Sequence, residues 1–167
     1  MKPGPFDLVV DSPVGRLGVG LDGRYVREIA FLSGHAALRA PVDAAGRRVA
    51  AWLQAYFACA ADVPRPEVVL SGTDYQKRVW AALVGIAVGQ VTTYGALAQR
   101  LGGSARAVGN ACRQNPVPIL VPCHRVVSAR GLGGFAGDSS GRLVDIKRRL
   151  LAHEGVEICP SRPHVPG

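Results

Sequence analysis

Pro122-Cys123-His124-Arg125 places a thiol, an imidazole and a guanidinium side by side at the end of the apolar run Pro116-Val-Pro-Ile-Leu-Val121, which reads as a buried strand giving way to a loop. The thiolate is the nucleophilic form of cysteine, and nearby cations lower the thiol pKa. Adjacency alone does not make a dyad, because successive side chains on a strand point to opposite faces. Cys123 and His124 can cooperate only where the chain turns, and Pro122 favours a turn here. By themselves these four residues fit a structural cysteine as well as a reactive one. The other cysteines, Cys59, Cys112 and Cys159, form no Cys-x-x-Cys pair with it or with one another. Nor do cysteine and histidine show metal-ligand spacing, so neither a disulfide framework nor a metal centre is expected.

The elements that must carry these groups follow from pattern. A chain of 167 residues with 48% apolar content allows one domain or two small ones. The first part reads as α/β. Phe6–Val10, Leu17–Leu21 and Val26–Phe31 are short β-favouring runs separated by turn signals at Ser12-Pro-Val-Gly15 and Asp22-Gly23. Asp43–Ala60 carries Val49, Leu53, Tyr56 and Phe57 on one helical stripe, and Val68–Leu70 is a candidate return strand. No catalytic constellation is legible in this part.

The second part opens with Ser71-Gly-Thr-Asp74, which offers N-caps to a helix reaching about Ile86. Val91-Thr92 reads as a short strand. Thr93 then caps a helix over Tyr94–Leu101, Gly102-Gly103 turns the chain, and Ser104 caps a helix from Ala105 to about Gln114. Two short helices around a glycine turn fit a helix-turn-helix, whose second helix exposes Arg106, Asn110 and Arg113. They also fit an ordinary packed pair. Ser128–Gly137 reads as a glycine-rich hairpin or a wing, Leu143–Glu154 as the last helix, and the remainder as a tail.

Charge separates the two parts. Residues 1–70 hold 8 Lys/Arg against 7 Asp/Glu, whereas residues 71–167 hold 12 against 5. A basic second part suits a polyanionic partner such as nucleic acid, although a solvated basic surface fits as well. The start of the chain has no apolar signal core, and no apolar run is long enough to span a bilayer. A reducing, cytoplasmic setting without a membrane partner is therefore expected.

Several blocks then occur in order: Gly72-Thr-Asp-Tyr-Gln-Lys-Arg-Val-Trp80, Thr93-Tyr94-Gly95, Ala105-Arg-Ala-Val-Gly109, Asn115-Pro-Val-Pro-Ile-Leu-Val-Pro-Cys-His-Arg-Val-Val127 and Leu150-Leu-Ala-His-Glu-Gly155. Together they closely resemble the O6-alkylguanine-DNA alkyltransferases, strongly over residues 71–155 and more loosely at Asp11-Ser-Pro-Val-Gly15. The resemblance implies an RNase H-like α/β domain over residues 1–70. It implies a mainly α winged helix-turn-helix domain over 71–158, followed by a tail over 159–167. It also implies a single-turnover reaction without cofactor, in which Cys123 takes the alkyl group from guanine O6 in double-stranded DNA. O6-methylguanine is the chief expected lesion, with O4-methylthymine as a further candidate. His124 would act as base through water, oriented by Glu154, and Asn115 would brace the turn. Tyr94 would contact guanine N3 and the target phosphate.

On the same resemblance, Arg106 would enter the base stack from the minor groove. Thr93, Tyr94, Ala105, Gly109, Asn110, Arg113 and Arg125 complete the expected DNA contacts, and Arg125 would also tie the active-site loop to its surroundings. Cys112, Pro118, Val126, Gly134, Phe135 and Ala136 would line the base pocket, with the Cys123 and Val126 carbonyls accepting from the guanine amino group. Phe135 stands where the family commonly has Tyr, and Gly137-Asp-Ser-Ser-Gly-Arg142 is longer than its usual counterpart. A monomer is expected, with cooperative assembly on DNA as the alternative. From the residues alone a turnover Cys-His hydrolase also stays open, as do a DNA-binding module that repairs nothing and a winged-helix regulator.

Overall fold

The computed structural model describes residues 4–60, 63–159 and 162–163. The chain forms two compact units, one of Met1–Leu70 with Pro116–Leu120 and another of Ser71–Asn115 with Val121–Gly167. The expected division at residue 70 is therefore crossed once, because five residues ahead of the cysteine turn cluster with the first unit.

In the first unit, β1 (Leu8–Val10), β2 (Leu17–Asp22) and β3 (Tyr25–Phe31) form an antiparallel sheet in sequence order. Gly15 and Gly23 turn the chain with positive φ, a conformation that costs glycine little. Helix α1 (Ala44–Phe57) starts where the Asp43 carboxylate accepts from Gly46 N–H at 2.7 Å. Val49 and Leu53 form its buried stripe with Leu8, Leu17, Val19 and Val26 in the core. Val68–Leu70 does not return as a strand; it makes only an isolated bridge from Val68 to Val26.

Pro116–Leu120 is not the buried strand that its apolar run suggested. Leu120 O accepts from Arg65, Pro116 O accepts from Ile29 N–H at 2.9 Å, and Ile119 has φ +73°. A β-branched residue in the left-handed region is strained, and Ile119 is 2% exposed.

In the second unit, α2 (Asp74–Val84) begins with a capping box between Thr73 and Gln76. Trp80 Nε1 donates to Ala111 O at 2.8 Å, joining α2 to α4 (Ala105–Arg113). α3 (Tyr94–Leu101) and α4 are capped by Thr93 and Ser104, as their sequence signals indicate. Gly103 in the intervening turn has φ +148°, and a Cβ there would lie 2.6 Å from the Tyr75 hydroxyl. β4 (Thr92–Thr93) pairs in parallel with β5 (Val126–Val127). Since β4 runs directly into α3, this pairing sets Tyr94 beside the segment that follows Cys123.

The expected hairpin over Ser128–Gly137 is instead two tight turns closed by Ser128–Gly131 and Phe135–Asp138 bridges. α5 (Arg142–His153) follows, packing Leu150 and Leu151 into the core. At the start of the expected tail, Ile158–Cys159 (β6) pairs antiparallel with Arg162–Pro163 (β7). Residues 160–161 and 164–167 of the expected tail lie outside the described residues. No helix among the described residues is long and apolar enough to cross a membrane.

Candidate functional site

Pro122 leads the chain into a single 3-10 turn, Cys123–Arg125, with Cys123 N–H donating to Val121 O at 2.8 Å and Arg125 N–H to Pro122 O at 3.1 Å. The turn removes the strand alternation that would have separated Cys123 from His124. Both side chains are buried, at 5% and 0% exposure.

His124 meets Glu154 thirty residues later, Nε2 to Oε1 at 2.7 Å. Glu154 also accepts two hydrogen bonds from Arg125, Nε to Oε2 at 2.9 Å and Nη2 to Oε1 at 2.8 Å. Arg125 Nη1 donates to Ile86 O at 2.6 Å. A carboxylate held by a guanidinium fork is ionised and can only accept. His124 Nε2 therefore carries the hydrogen, and its Nδ1 presents a lone pair. Nδ1 is buried and has no hydrogen-bond partner among the described residues. Burial lowers the His124 pKa, against the opposing pull of Glu154, which keeps the imidazole neutral. The site holds a base with a defined free face.

Cys123 opens onto a cavity of about 310 Å³ lined by Tyr94, Cys112, Arg113, Phe135, Ala136 and Asp138, among others. Burial raises its thiol pKa, opposed by a hydrogen bond from Asn115, by the Lys147 ammonium and by backbone N–H groups. Asn115 also donates Nδ2–H to Val121 O at 2.7 Å, so one amide holds both the turn and the sulfur. Cys112 faces the same cavity with its pKa pushed up to about 12 by burial, which keeps it a poor nucleophile. Burial likewise raises the Tyr94 hydroxyl, which donates to Gly134 O at 3.3 Å.

The structure brings most of the sequence-derived residues together. Cys112, Gly134, Phe135 and Ala136 line the cavity, as do Tyr94, Ala105, Gly109 and Arg113 from the expected DNA set. Arg106 and Asn110 are exposed on α4, opposite buried Val108, Ala111 and Cys112, while Thr93 caps α3. One expectation is corrected, and two further residues stand outside the cavity lining. Arg125 ties the active-site loop to Glu154 and Ile86, as expected, and at 7% exposure its guanidinium is not available to DNA. Pro118 belongs to the segment that clusters with the first unit. Val126 presents its carbonyl to Lys147 Nζ at 2.7 Å and is not among the cavity residues.

Sequence reasoning missed Lys147, which is fully buried beside the cavity. Its signal was its register: Val144, Lys147 and Leu151 fall at i, i+3 and i+7 on the inward stripe of α5. Asp138 and Gly137, which also line the cavity, carried no such signal.

Residues 74–156 match the family model described as 6-O-methylguanine DNA methyltransferase, DNA binding domain. A methylated-DNA–protein-cysteine methyltransferase of Methanosarcina acetivorans is 36% identical over 158 residues, covering 90% of this chain and 98% of the relative. One from Rattus norvegicus is 35% identical, covering 89% and 81%. Among solved structures, Mycobacterium tuberculosis OGT in complex with DNA superposes with a TM-score of 0.71 at 36% identity, over 87% of this chain and 90% of that one.

Proposed function

The chain belongs to the 6-O-methylguanine DNA methyltransferase family, and from that premise we propose that it repairs DNA by moving an alkyl group from guanine O6 to Cys123. The observation that carries this reading is the buried Cys123 thiol at the cavity wall, backed by His124, Glu154 and Arg125 in one hydrogen-bonded array. The reaction forms a bond from Cys123 Sγ to the alkyl carbon and breaks the bond from that carbon to O6. The thiol proton passes through a water to His124 Nδ1, and the guanine anion that leaves takes a proton from its surroundings. Products are an S-alkyl cysteine and unmodified guanine. A thioether resists hydrolysis, so each molecule acts once and no cofactor takes part.

Duplex DNA hides O6, so the nucleotide is rotated out of the helix at a cost of a few kcal/mol. Exposed Arg106 on α4 is suited to fill the gap from the minor groove, whose degenerate pattern fits a protein that scans all sequences. Three helices with a two-strand parallel pair and the turns before α5 are consistent with a winged helix-turn-helix. The three-stranded sheet with α1 is consistent with a reduced RNase H-like domain. The acceptor works as a monomer in the cytoplasm, and the lesion class extends from O6-methylguanine to small O6-alkyl groups that a cavity of about 310 Å³ admits.

The test is one incubation with a duplex carrying O6-methylguanine, followed by peptide mass spectrometry. One methyl per protein on Cys123 is expected, with no transfer by Cys123→Ala. An unmodified Cys123 beside an intact lesion, or repair by the alanine variant, overturns the reading.

A further inference from the structure

Lys147 is a buried cation whose charge favours the Cys123 thiolate and whose hydrogen bonds the transfer chemistry leaves unused. It is 0% exposed, and no carboxylate lies within ion-pair distance of it among the described residues. Isolating an ammonium from water is expensive unless its protons are hydrogen-bonded, and here the partners are specific. Nζ donates to Val126 O at 2.7 Å and to Gly134 O at 2.9 Å, and it approaches the Tyr94 hydroxyl at 3.5 Å. It also stands 5.6 Å from the Tyr94 ring centroid.

These contacts join four pieces of the unit: α5, the start of β5, the glycine-rich turn and α3. In the glycine-rich turn, Leu132 packs against the cluster of Val91, Val127, Leu151 and Val156, and Phe135 is buried. The turn's own closure is the reciprocal pair between Phe135 and Asp138, at 2.8 and 2.9 Å. Gly133 has φ +75°, and a Cβ on Gly134 would meet Asp138 O at 2.7 Å, so this stretch is glycine by necessity and gains no side-chain packing at those positions. Gly134 O is the point at which two outside donors, Lys147 and Tyr94, fasten it. Phe135, Ala136, Gly137 and Asp138, which follow directly, form one wall of the cavity in front of Cys123.

We propose that Lys147 is a positioning residue that latches the Phe135–Asp138 wall over the extruded base, holding Gly134 and Val126 through their carbonyls. This rests on the alkyl-transfer reading above. It adds the element that decides whether the base is held in line with the thiol. The groups facing Nζ are Tyr94 from α3, Cys112 from α4 and Cys123 from the turn, with His124 also within its field. None is an acid at neutral pH, so the carbonyls are where the ammonium does its holding.

Lys147→Met keeps the length of the stem and removes the donors. With full-length protein and an O6-methylguanine duplex, the single-turnover rate is expected to fall at least about tenfold. Affinity for undamaged duplex should stay within about twofold, because the exposed face of α4 is untouched. Amide exchange at Phe135 and Asp138 should accelerate at least about tenfold, while α4 amides do not change. A general loss of structure would move all of these together. Repair by the variant within twofold of wild type, or unchanged exchange at Phe135 and Asp138, overturns the latch. If wild type itself transfers no methyl group, the alkyl-transfer reading fails and the exchange result alone decides the latch. Should Lys147→Met not fold, Lys147→Gln, which keeps one short donor, is read by the same two criteria.

Discussion

His124 can serve as a base only because its other nitrogen is committed. Glu154 takes the Nε2 hydrogen, and Arg125 keeps Glu154 ionised from the opposite side. Exchange of Glu154 for Gln removes the charge and allows the amide to turn its NH₂ toward the ring, which would reverse the tautomer. Losses of about 10⁴ in rate accompany that kind of error elsewhere. For Glu154→Gln the single-turnover rate is expected to fall at least about 100-fold, with DNA affinity unchanged in a binding titration. Arg125→Met has a different signature, since it strands a buried carboxylate. A stability loss of about 3–5 kcal/mol is expected in denaturant unfolding.

The pH dependence follows from the same residue. The His124 pKa in the folded protein is lowered from 6.5. Between the two values the unfolded chain binds the proton and the folded one does not. Stability is therefore full above pH 6.5 and is lost as the pH falls toward the folded value. The acid limb of the repair rate should likewise lie below pH 6.5, measured by single-turnover assays across pH. A limb above 6.5 would mean that the base is another group.

At the scale of elements, the turn between α3 and α4 depends on one clash avoided. A Cβ at Gly103 would stand 2.6 Å from the Tyr75 hydroxyl, which is buried without a hydrogen-bond partner among the described residues. Gly103→Ala must both displace that hydroxyl and adopt φ +148°, so thermal unfolding should show a loss of about 1–3 kcal/mol. Tyr75→Phe removes the obstructing atom. Alone it should be neutral to stabilising, since burying an unsatisfied hydroxyl costs folding free energy. Combined with Gly103→Ala it should recover the steric part of the loss but leave the backbone part. Additivity of the two changes would show that the contact is not the constraint.

At the scale of the molecule, the charge asymmetry is the feature with a measurable consequence. Residues 71–167 carry 12 Lys/Arg against 5 Asp/Glu, and α4 exposes Arg106 and Arg113 beside the cavity. Binding to undamaged duplex should weaken with salt, with a log–log slope steeper than about −3, given about −0.9 for each phosphate neutralised. It should also be indifferent to sequence. A flat salt response would detach the basic surface from DNA.

What the sequence by itself determined is whatever is local. The caps at Thr73, Thr93 and Ser104, the glycine turn at 102–103 and the order of the first three strands depend on near neighbours and on side-chain period. The family blocks likewise named Cys123, His124, Glu154 and Asn115, because their spacing along the chain is itself distinctive. Tertiary structure alone decided the rest. It turned an apolar run that reads as a strand into a loop strained at buried Ile119, since β propensity is set by context. It made Arg125 an internal counter-ion of Glu154 and withdrew it from the surface, a choice fixed by contacts twenty-nine and thirty-nine residues away. And it buried Lys147, the first of three consecutive basic residues, with two backbone carbonyls converging on Nζ. A carbonyl's position is set by the path of the whole chain, and no residue type announces it.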